Sequence, residues 1–308
     1  MKAEVVIIGG GPAGLTANYF IKKQNKRIST IIIEKDNQIG GLCKTKKILW
    51  KNHEFLFDLG PHRFISIYPY HYSFFYEVLR KREILEVERK PGLFFKGNIY
   101  PFSILSIFKL LSKKELISVI REILQTRLFR FNREELSNYE EYGLKLYGNT
   151  LYKKIVYPLT KKTWCTDPKH LDISLLRKRS IDISFVKLIS SILKKDLKVF
   201  LKKFLYPKRG IGYFWEKVYE KSKTNTDLLL GTSIKGIIFK NGKIKKIITR
   251  NGQEIEGEYY VFTIPLDEIA SLFLKKKFCL GWVHQIHTFC IFKKEKLTDY
   301  TWIYLVDK

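Results

Sequence analysis

A glycine-rich turn near the start of the chain constrains the fold more strongly than any other feature of the sequence. Four apolar residues at 5–8 run directly into the motif G-x-G-x-x-G at 9–14, and a helix-compatible segment follows. A second apolar stretch at 28–33 then ends in Glu34. This order of strand, glycine turn, helix and strand with an acidic end predicts a complete β-α-β unit of the Rossmann type.

The residue types of this unit predict a site for a dinucleotide. Gly9 allows a tight turn out of the strand, Gly11 lets a pyrophosphate approach the backbone, and Gly14 lets helix and strand pack closely. The start of the helix, at Ala13, offers unpaired N–H groups to the phosphates. Glu34 can accept both hydroxyl protons of an adenosine ribose, which disfavours a 2′-phosphate at that position.

Two further glycine segments favour one dinucleotide over another. The second strand continues as E-K-x-x-x-x-G-G-L at 34–42, and D-L-G-P-H-R-F follows at 58–64. These segments resemble the flavoprotein family of amine oxidases, protoporphyrinogen oxidases and phytoene desaturases, with the related UDP-galactopyranose mutases. In that family the Gly-Gly turn lies along the FAD pyrophosphate and ribityl chain, and the D-x-G-x-x-x-F segment brings backbone beside the isoalloxazine ring. The resemblance therefore implies FAD rather than NAD.

The resemblance also implies which residues bind the cofactor. In relatives, the backbone at the position of Ile234 hydrogen-bonds the adenine. The FAD-binding residues predicted in this way are Gly9, Gly11, Pro12, Ala13, Gly14, Glu34, Lys35, Gly41, Leu42, Gly60, Pro61, His62 and Ile234.

His62 and Arg63 are the candidate catalytic residues. His62 could tune the flavin or contact a phosphate, and Arg63 could hold an anionic group of the substrate. The alternative is that both residues only cap the loop, because the directions of their side chains do not follow from the sequence.

A second resemblance lies in the middle of the chain. The run Y-P-L-T-K-K-T-W at 157–164 and its surroundings are similar to the helical substrate-domain signature of the protoporphyrinogen-oxidase-like and mutase-like branches. Asn138 stands where a serine is common, and Cys165 stands where a glycine is usual, so the subfamily stays open. The resemblance implies substrate contacts for Trp164 and Arg177, although packing within the domain explains such residues equally well.

The predicted fold class is α/β, with a discontinuous FAD-binding Rossmann-type domain and an inserted α+β substrate domain. The FAD-binding domain takes residues 1–68 and 206–270, and the largely helical insertion takes 69–205. Residues 271–308 are expected to begin the strands of the substrate domain. Because the family normally continues into a second flavin motif, the chain is expected to be a C-terminally truncated fragment.

Local patterns predict several elements within this frame. Residues 69–82 are expected to be helical. The Asn-Gly pairs at 241–242 and 251–252 predict hairpins with type I′ turns. From Gly281 onward the alternation of Val283, Ile286, Phe289 and Ile291 predicts strands.

The charge of the chain is strongly basic, with 57 Lys and Arg against 30 Asp and Glu, a formal net charge of +27. Nucleic acid, an anionic membrane surface and an anionic substrate are the partners that such a charge suits. No nucleic-acid-binding motif is present, so nucleic acid is not expected. Residues 103–131 and 181–205 predict amphipathic helices with basic polar faces, which either pack on the substrate domain or lie on a membrane.

Other patterns bear on compartment and metals. No stretch of eighteen uncharged apolar residues occurs, so the chain is expected in the cytoplasm, with peripheral contact to the inner face of the membrane as an option. The four cysteines lack C-x-x-C spacing and are expected to be free thiols. His284 and His287, with Cys290 nearby, fit an amphipathic β-region better than a metal site.

The function expected from the resemblance is an FAD-dependent oxidoreductase that passes hydride from an organic, anionic or lipid-linked small-molecule substrate to flavin N5. One alternative is a UDP-galactopyranose mutase-like isomerase of nucleotide sugars that uses reduced FAD. The other is a flavin-free or inactive binding protein on the same fold, similar to the GDP-dissociation inhibitors.

Overall fold

The chain forms two compact units, each made of two chain segments. The computed structural model describes residues 1–66, 68–128, 136–175, 203–274, 276 and 280–305. The first unit contains Met1–Val87 and Phe204–Ile291, and the second contains Glu88–Lys203 and Phe292–Lys308. The domain limits expected from the sequence stay predictions.

Strands and helices occur in both units. The strands are β1 (Lys2–Ile8), β2 (Thr30–Ile33), β3 (Thr45–Trp50), β4 (His53–Asp58), β5 (Ile84–Glu88), β6 (Pro91–Phe95), β7 (Asn98–Pro101), β8 (Lys203–Pro207), β9 (Thr226–Leu229), β10 (Ile234–Lys240), β11 (Lys243–Thr249), β12 (Glu254–Phe262) and β13 (Trp302–Leu305). The α-helices are α1 (Pro12–Gln24), α2 (Pro69–Val78), α3 (Ile104–Lys109), α4 (Lys113–Leu128), α5 (Tyr139–Tyr147), α6 (Asn149–Leu151), α7 (Tyr157–Trp164), α8 (Ile211–Ser222) and α9 (Leu266–Leu274).

A six-stranded sheet forms the centre of the first unit, in the order β10-β11-β12-β1-β2-β9. The strands from β12 to β9 run parallel, and β10 and β11 add an antiparallel edge. β2 is buried along its whole length, as expected for a parallel strand that is covered on both faces. This sheet confirms the predicted α/β fold with a Rossmann-type β-α-β unit.

Helix α1 packs beside α8 in the first unit, in a shared apolar cluster. Leu15 of α1 and Phe214 and Val218 of α8 are at most 1% exposed. Phe214 also stacks on Phe75 of α2, with ring centroids 4.8 Å apart. Burying side chains of this size contributes about 1.5–3 kcal/mol each. This packing fixes the start of α1, on which the candidate site depends.

The second unit contains a three-stranded sheet and several helices. β13 runs parallel to β6, and β7 runs antiparallel to it. Leu93 of β6, Val119 of α4 and Tyr152 lie in one core and are at most 1% exposed.

Among the residues that the structure describes, no helix combines the length and apolar character needed to cross a bilayer.

One of the two predicted hairpin turns is correct. Asn241 and Gly242 both have positive φ, at 52° and 73°, as a type I′ turn between β10 and β11 requires. The hairpin predicted at 251–252 is also present, because β11 and β12 pair antiparallel, but its type I′ turn is wrong, since Gly252 has a positive φ and Asn251 does not. The loop there is longer and is closed by Thr249, whose N–H donates to the carbonyl of Gln253 at 3.0 Å.

The predicted strands from Gly281 onward are wrong for most of their length. Residues 281–291 have no secondary structure and are exposed throughout, and within the described residues 292–305 only β13 forms a strand. Alternation predicts a strand only where a neighbouring strand can pair its N–H and C=O groups. Among the described residues, no strand pairs with 281–291.

Two predicted helical segments end differently from expected. α2 ends at Val78 rather than at residue 82, since the side chain of Glu83 folds back to accept the N–H of Arg80 at 2.8 Å and forms a separate short turn. Residues 203–205, expected at the end of an amphipathic segment, belong to strand β8. The rest of that segment lies outside the described residues.

Candidate functional site

The turn after β1 brings backbone close to backbone. Gly9 has a φ of 110°, which favours glycine, and a Cβ on Gly14 would overlap the carbonyl oxygen of Gly9. Gly11 differs from both, because its φ is −79° and an added Cβ would meet nothing closer than Gly41 Cα at 3.7 Å. A methyl group at Gly11 would therefore be in ordinary van der Waals contact with the Gly41 backbone, and no side chain from elsewhere in the described part of the chain lies within 4 Å of that position.

The N-terminus of α1 lies beside the turn at Gly41. Gly11 is its N-cap, Pro12 follows, and the first turn contains no acidic residue. The first N–H groups of a helix lack partners within it, and a glycine cap has no side chain to supply one. The N–H groups of Ala13 and Gly14, with the positive end of the helix dipole, therefore suit a phosphate.

Glu34 is buried at the end of β2, at 6% exposure. Its Oε2 accepts the N–H of Gly10 at 2.7 Å, and its Oε1 accepts the N–H of Asp36 at 2.9 Å. An ionised carboxylate can accept about four hydrogen bonds, so the two oxygens keep further acceptor capacity. Two held oxygens with remaining lone pairs suit the two hydroxyl groups of a ribose.

The second glycine turn lies against the first. The N–H of Gly40 donates to the carbonyl of Gly10 at 2.8 Å, and Gly40 and Gly41 have φ values of 107° and 54°. A Cβ on Gly41 would stand 3.1 Å from Gly11 Cα. Leu42 is 79% exposed. Because the glycines of both turns lack side chains, the two stretches of backbone can lie against each other beside the N-terminus of α1.

His62 lies on the other side of the Gly-Gly turn. Its Nε2 donates to the carbonyl of Leu59 at 2.9 Å, and its Nδ1 lies 3.5 Å from the Cys43 thiol. The hydrogen bond with Cys43, helped by the carbonyls of Leu59 and Leu42, outweighs burial and raises the pKa of His62 to about 9. A histidine with this pKa carries a positive charge at neutral pH.

Predicted residues of the first unit thus lie in contact along one strip, which runs from Gly10 and Gly11 through the Gly-Gly turn to His62. The Gly-Gly turn contacts the first glycine turn at Gly10 and Gly11, and Cys43, two residues after Gly41, contacts His62. Cys43 was expected only to be a free thiol, and no pattern in the sequence pointed to its contact with His62. The FAD-binding roles of the individual residues stay predictions.

A cavity of about 540 Å³ opens beside the residues that follow Glu34. Its lining residues are Lys35, Asp36, Asn37, Gln38, Lys44 and Lys46. Lys44, whose side chain is only 5% exposed, forms an ion pair with Asp36. The hydrogen bond from Lys44 lowers the pKa of Asp36. Lys35 is also 3.5 Å from Glu268, so the cavity wall is partly neutralised.

A second cluster of polar groups joins the β3–β4 hairpin to α8. Asp58 Oδ1 accepts the Thr45 hydroxyl at 2.5 Å and the Ile211 N–H at 3.1 Å, and Asp58 Oδ2 accepts the Tyr206 hydroxyl. Burial, followed by this bond to Asp58, raises the pKa of Tyr206. The N–H of Gly212 donates to Thr45 Oγ1 at 2.8 Å. Apart from Asp58, which belongs to the D-x-G segment, sequence reasoning did not identify this cluster.

The remaining predicted residues lie in several places. Gly60 has a φ of 109°, and the ring of His287 lies 3.5 Å from where its Cβ would be. Ile234 begins β10 and packs in the core on the sheet. Trp164 ends α7 in the second unit and is half-buried. Arg177 lies outside the described residues.

Comparison with known proteins supports the resemblance. The family of NAD(P)-binding Rossmann-like domains matches residues 7–78. No curated protein matches the sequence.

Three solved structures illustrate the likeness. Reduced UDP-galactopyranose mutase superposes with a TM-score of 0.73 at 20% identity, covering 88% of this chain and 57% of the mutase. A protein from Exiguobacterium sp. 255-15 assigned as a protoporphyrinogen oxidase gives 0.63 at 16%, covering 88% and 61%. Putrescine oxidase bound to putrescine gives 0.55 at 13%, covering 86% and 58%.

The chain spans about three fifths of the length of these solved relatives. At identities of 20% and below, the likeness concerns the fold. The superpositions show that this chain shares the fold of these solved structures, and the Rossmann-like match places residues 7–78 in its nucleotide-binding part.

Proposed function

We propose that the chain binds FAD and works as an FAD-dependent oxidoreductase of the amine oxidase and protoporphyrinogen oxidase kind. The observation that carries the proposal is the cradle of bare backbone at Gly11, which lies between the uncapped start of α1 and the turn at Gly41 and which no side chain from elsewhere among the described residues approaches within 4 Å. The carboxylate of Glu34, which can accept further hydrogen bonds, lies at the edge of this cradle, with Oε2 2.7 Å from the Gly10 nitrogen.

These residues fit the ADP part of the cofactor. Glu34 would accept the two ribose hydroxyl groups, and the N–H groups of Ala13 and Gly14 would meet the pyrophosphate. Neither role requires a side chain to move into the cradle. Lys35 and Lys46 line the cavity that follows Glu34 and add positive charge there.

His62 would act at the other end of the strip. With a pKa of about 9, its imidazolium is positive at neutral pH, and the bond to Leu59 orients its ring. A fixed positive charge there favours negative charge that develops nearby and holds anionic groups of a substrate. FAD, when bound, supplies the redox chemistry by accepting hydride at N5 from an organic substrate.

The test is FAD binding by the variant Gly11→Ala. Its backbone suits alanine and the new methyl group has room in the protein, so the variant should fold while the methyl group occupies the phosphate path. We expect wild type to retain flavin absorbance between 350 and 500 nm after desalting, and Gly11→Ala to bind FAD at least about tenfold more weakly.

Gly236→Ala is the matched control, because a Cβ on Gly236 would have no neighbour within 4 Å. Equal FAD affinity in both variants would overturn the assignment of the cradle. If wild type retained no flavin at all, the proposal would fail and the flavin-free binding protein would be favoured instead.

A second candidate is a nucleotide-sugar isomerase like the mutase. It is favoured by the TM-score of 0.73 with UDP-galactopyranose mutase, against 0.63 for the protein assigned as a protoporphyrinogen oxidase. Product analysis with UDP-galactopyranose separates the two. A mutase converts the sugar only with reduced FAD and without net consumption of an electron acceptor, whereas an oxidoreductase consumes the acceptor in proportion to its product.

A further inference from the structure

Helix α4 separates its charged side chains onto opposite faces. Its acidic residues, Glu115 and Glu122, are turned toward neighbouring helices of the second unit. Glu115 accepts Lys154 Nζ at 2.7 Å, and Glu122 accepts the N–H of Thr150 at 2.9 Å. Val119, which lies on the same face, is fully buried. Both carboxylates are therefore paired within the unit, and neither belongs to the outward face.

The outward face of α4 carries a stripe of large apolar residues. Ile117 is 67% exposed, Ile120 is 49% exposed and Leu124 is 48% exposed. Spacings of three and four residues align them along one side of a helix. Three adjacent aliphatic side chains at this exposure form a patch rather than scattered surface residues.

Basic residues border the stripe. Lys113, Lys114 and Arg121 are exposed. At 100° per residue, their positions lie within roughly 100° of the stripe around the helix axis. Together with Ile117, Ile120 and Leu124, they form what we term the α4 face. This face combines aliphatic and positive groups, which is the pattern of a helix lying in the plane of a membrane interface.

We propose that the α4 face docks the protein on a bilayer surface that contains anionic lipids. The aliphatic stripe enters the boundary between headgroups and acyl chains, and the lysine and arginine side chains meet lipid phosphates. The charge of the whole chain, +27, is complementary to such a surface. The proposal is independent of FAD.

The first experiment is co-sedimentation of the full chain with phosphatidylcholine vesicles, with and without phosphatidylglycerol. We expect binding only to the anionic vesicles, and weaker binding at high salt. The triple variant K113Q/K114Q/R121Q should bind roughly a hundredfold more weakly, from about fivefold per basic residue near an anionic surface.

A charge-matched control separates the α4 face from the overall charge of the chain. Lys240, Lys243 and Lys245 are exposed in the first unit, and K240Q/K243Q/K245Q removes the same three charges. We expect this control to bind vesicles almost as well as wild type. Equal losses in the two triple variants would overturn the proposal, because binding would then follow net charge alone.

The apolar stripe needs its own variant. I117S/I120S/L124S should weaken binding to anionic vesicles by at least about tenfold, while serine at three other exposed positions, in L49S/L230S/L266S, should not. Circular dichroism checks that each variant is folded, and FAD binding should be unchanged. If the α4 variants altered self-association in gel filtration but left vesicle binding intact, the face would mate with a second copy and the proposal would be wrong.

Discussion

Two helices of the first unit begin after a glycine N-cap, and the surroundings of the two caps differ. Helix α1 starts directly after Gly11, and helix α8 starts directly after Gly210. At α1 no side chain caps the helix start, and a Cβ on Gly11 would meet, among the described residues, only the Gly41 backbone, at 3.7 Å. At α8 the first N–H is taken by Asp58, and a Cβ on Gly212 would lie 2.5 Å from Thr45 N.

The carboxylates beside these helices differ in the same way. Asp58 accepts the hydroxyls of Thr45 and Tyr206 and the N–H of Ile211. Glu34 accepts two N–H groups and keeps lone pairs for a ligand. A glycine N-cap therefore does not by itself mark a ligand site, because the protein's own hairpin packs against the start of α8, whereas among the described residues only the Gly41 backbone comes near Gly11 at the start of α1.

The largest expected effect is a loss of stability where the β3–β4 hairpin meets α8. Asp58→Ala leaves the Thr45 and Tyr206 hydroxyls and the Ile211 N–H without their acceptor. We expect the free energy of unfolding to fall by about 3 kcal/mol or more, from ~1–3 kcal/mol per unsatisfied group. Urea denaturation followed by circular dichroism measures it. A loss below that of Glu34→Ala would contradict the contrast between the two carboxylates.

Alanine substitutions at Gly212 and Gly11 test the difference between the starts of α8 and α1. Gly212→Ala presses a methyl group onto the backbone of Thr45, so we expect a loss of about 1–3 kcal/mol from overpacking. Gly11→Ala has room in the protein and should be neutral or slightly stabilising in the absence of FAD. Thermal unfolding of both variants without FAD tests this, and similar losses in both would show that Gly11 is also a packing residue.

Glu34→Gln should separate ligand binding from stability. The amide keeps one acceptor oxygen and loses the charge, so we expect FAD affinity to fall about tenfold, while unfolding changes by about 1 kcal/mol. Titration of the variant with FAD, followed by flavin fluorescence, measures the affinity. Unchanged affinity with a large loss of stability would instead assign Glu34 to the fold, like Asp58.

The smallest expected effect is a pH dependence at His62. Because its folded-state pKa is raised from 6.5 to about 9, the stabilisation from its charged form is complete below pH 6.5 and is lost as the pH rises through about 9. The ring is partly exposed, so we expect a change of about 1 kcal/mol or less. The difference in unfolding free energy between wild type and His62→Gln, measured from pH 6 to 10, should shrink across this range. A constant difference would contradict the assignment.

The sequence alone determined the nucleotide fold, because its signals are local. The turn at 9–14 needs glycine conformations, and the apolar strands at 5–8 and 28–33 predict buried parallel neighbours without knowledge of the rest of the chain. The same locality made Asn241-Gly242 predictable, since a type I′ turn depends only on its own two residues.

The tertiary structure alone decided which groups meet across long stretches of chain. Alternation at 281–291 could not predict a strand without a pairing partner, and the Asn-Gly pair at 251–252 was overridden by the Thr249 loop. The contact of Cys43 with His62, the saturation of Asp58 by Tyr206 and Ile211, and the inward turn of Glu115 and Glu122 likewise depend on packing between distant segments. Composition and spacing do not encode the direction of a side chain, which packing sets.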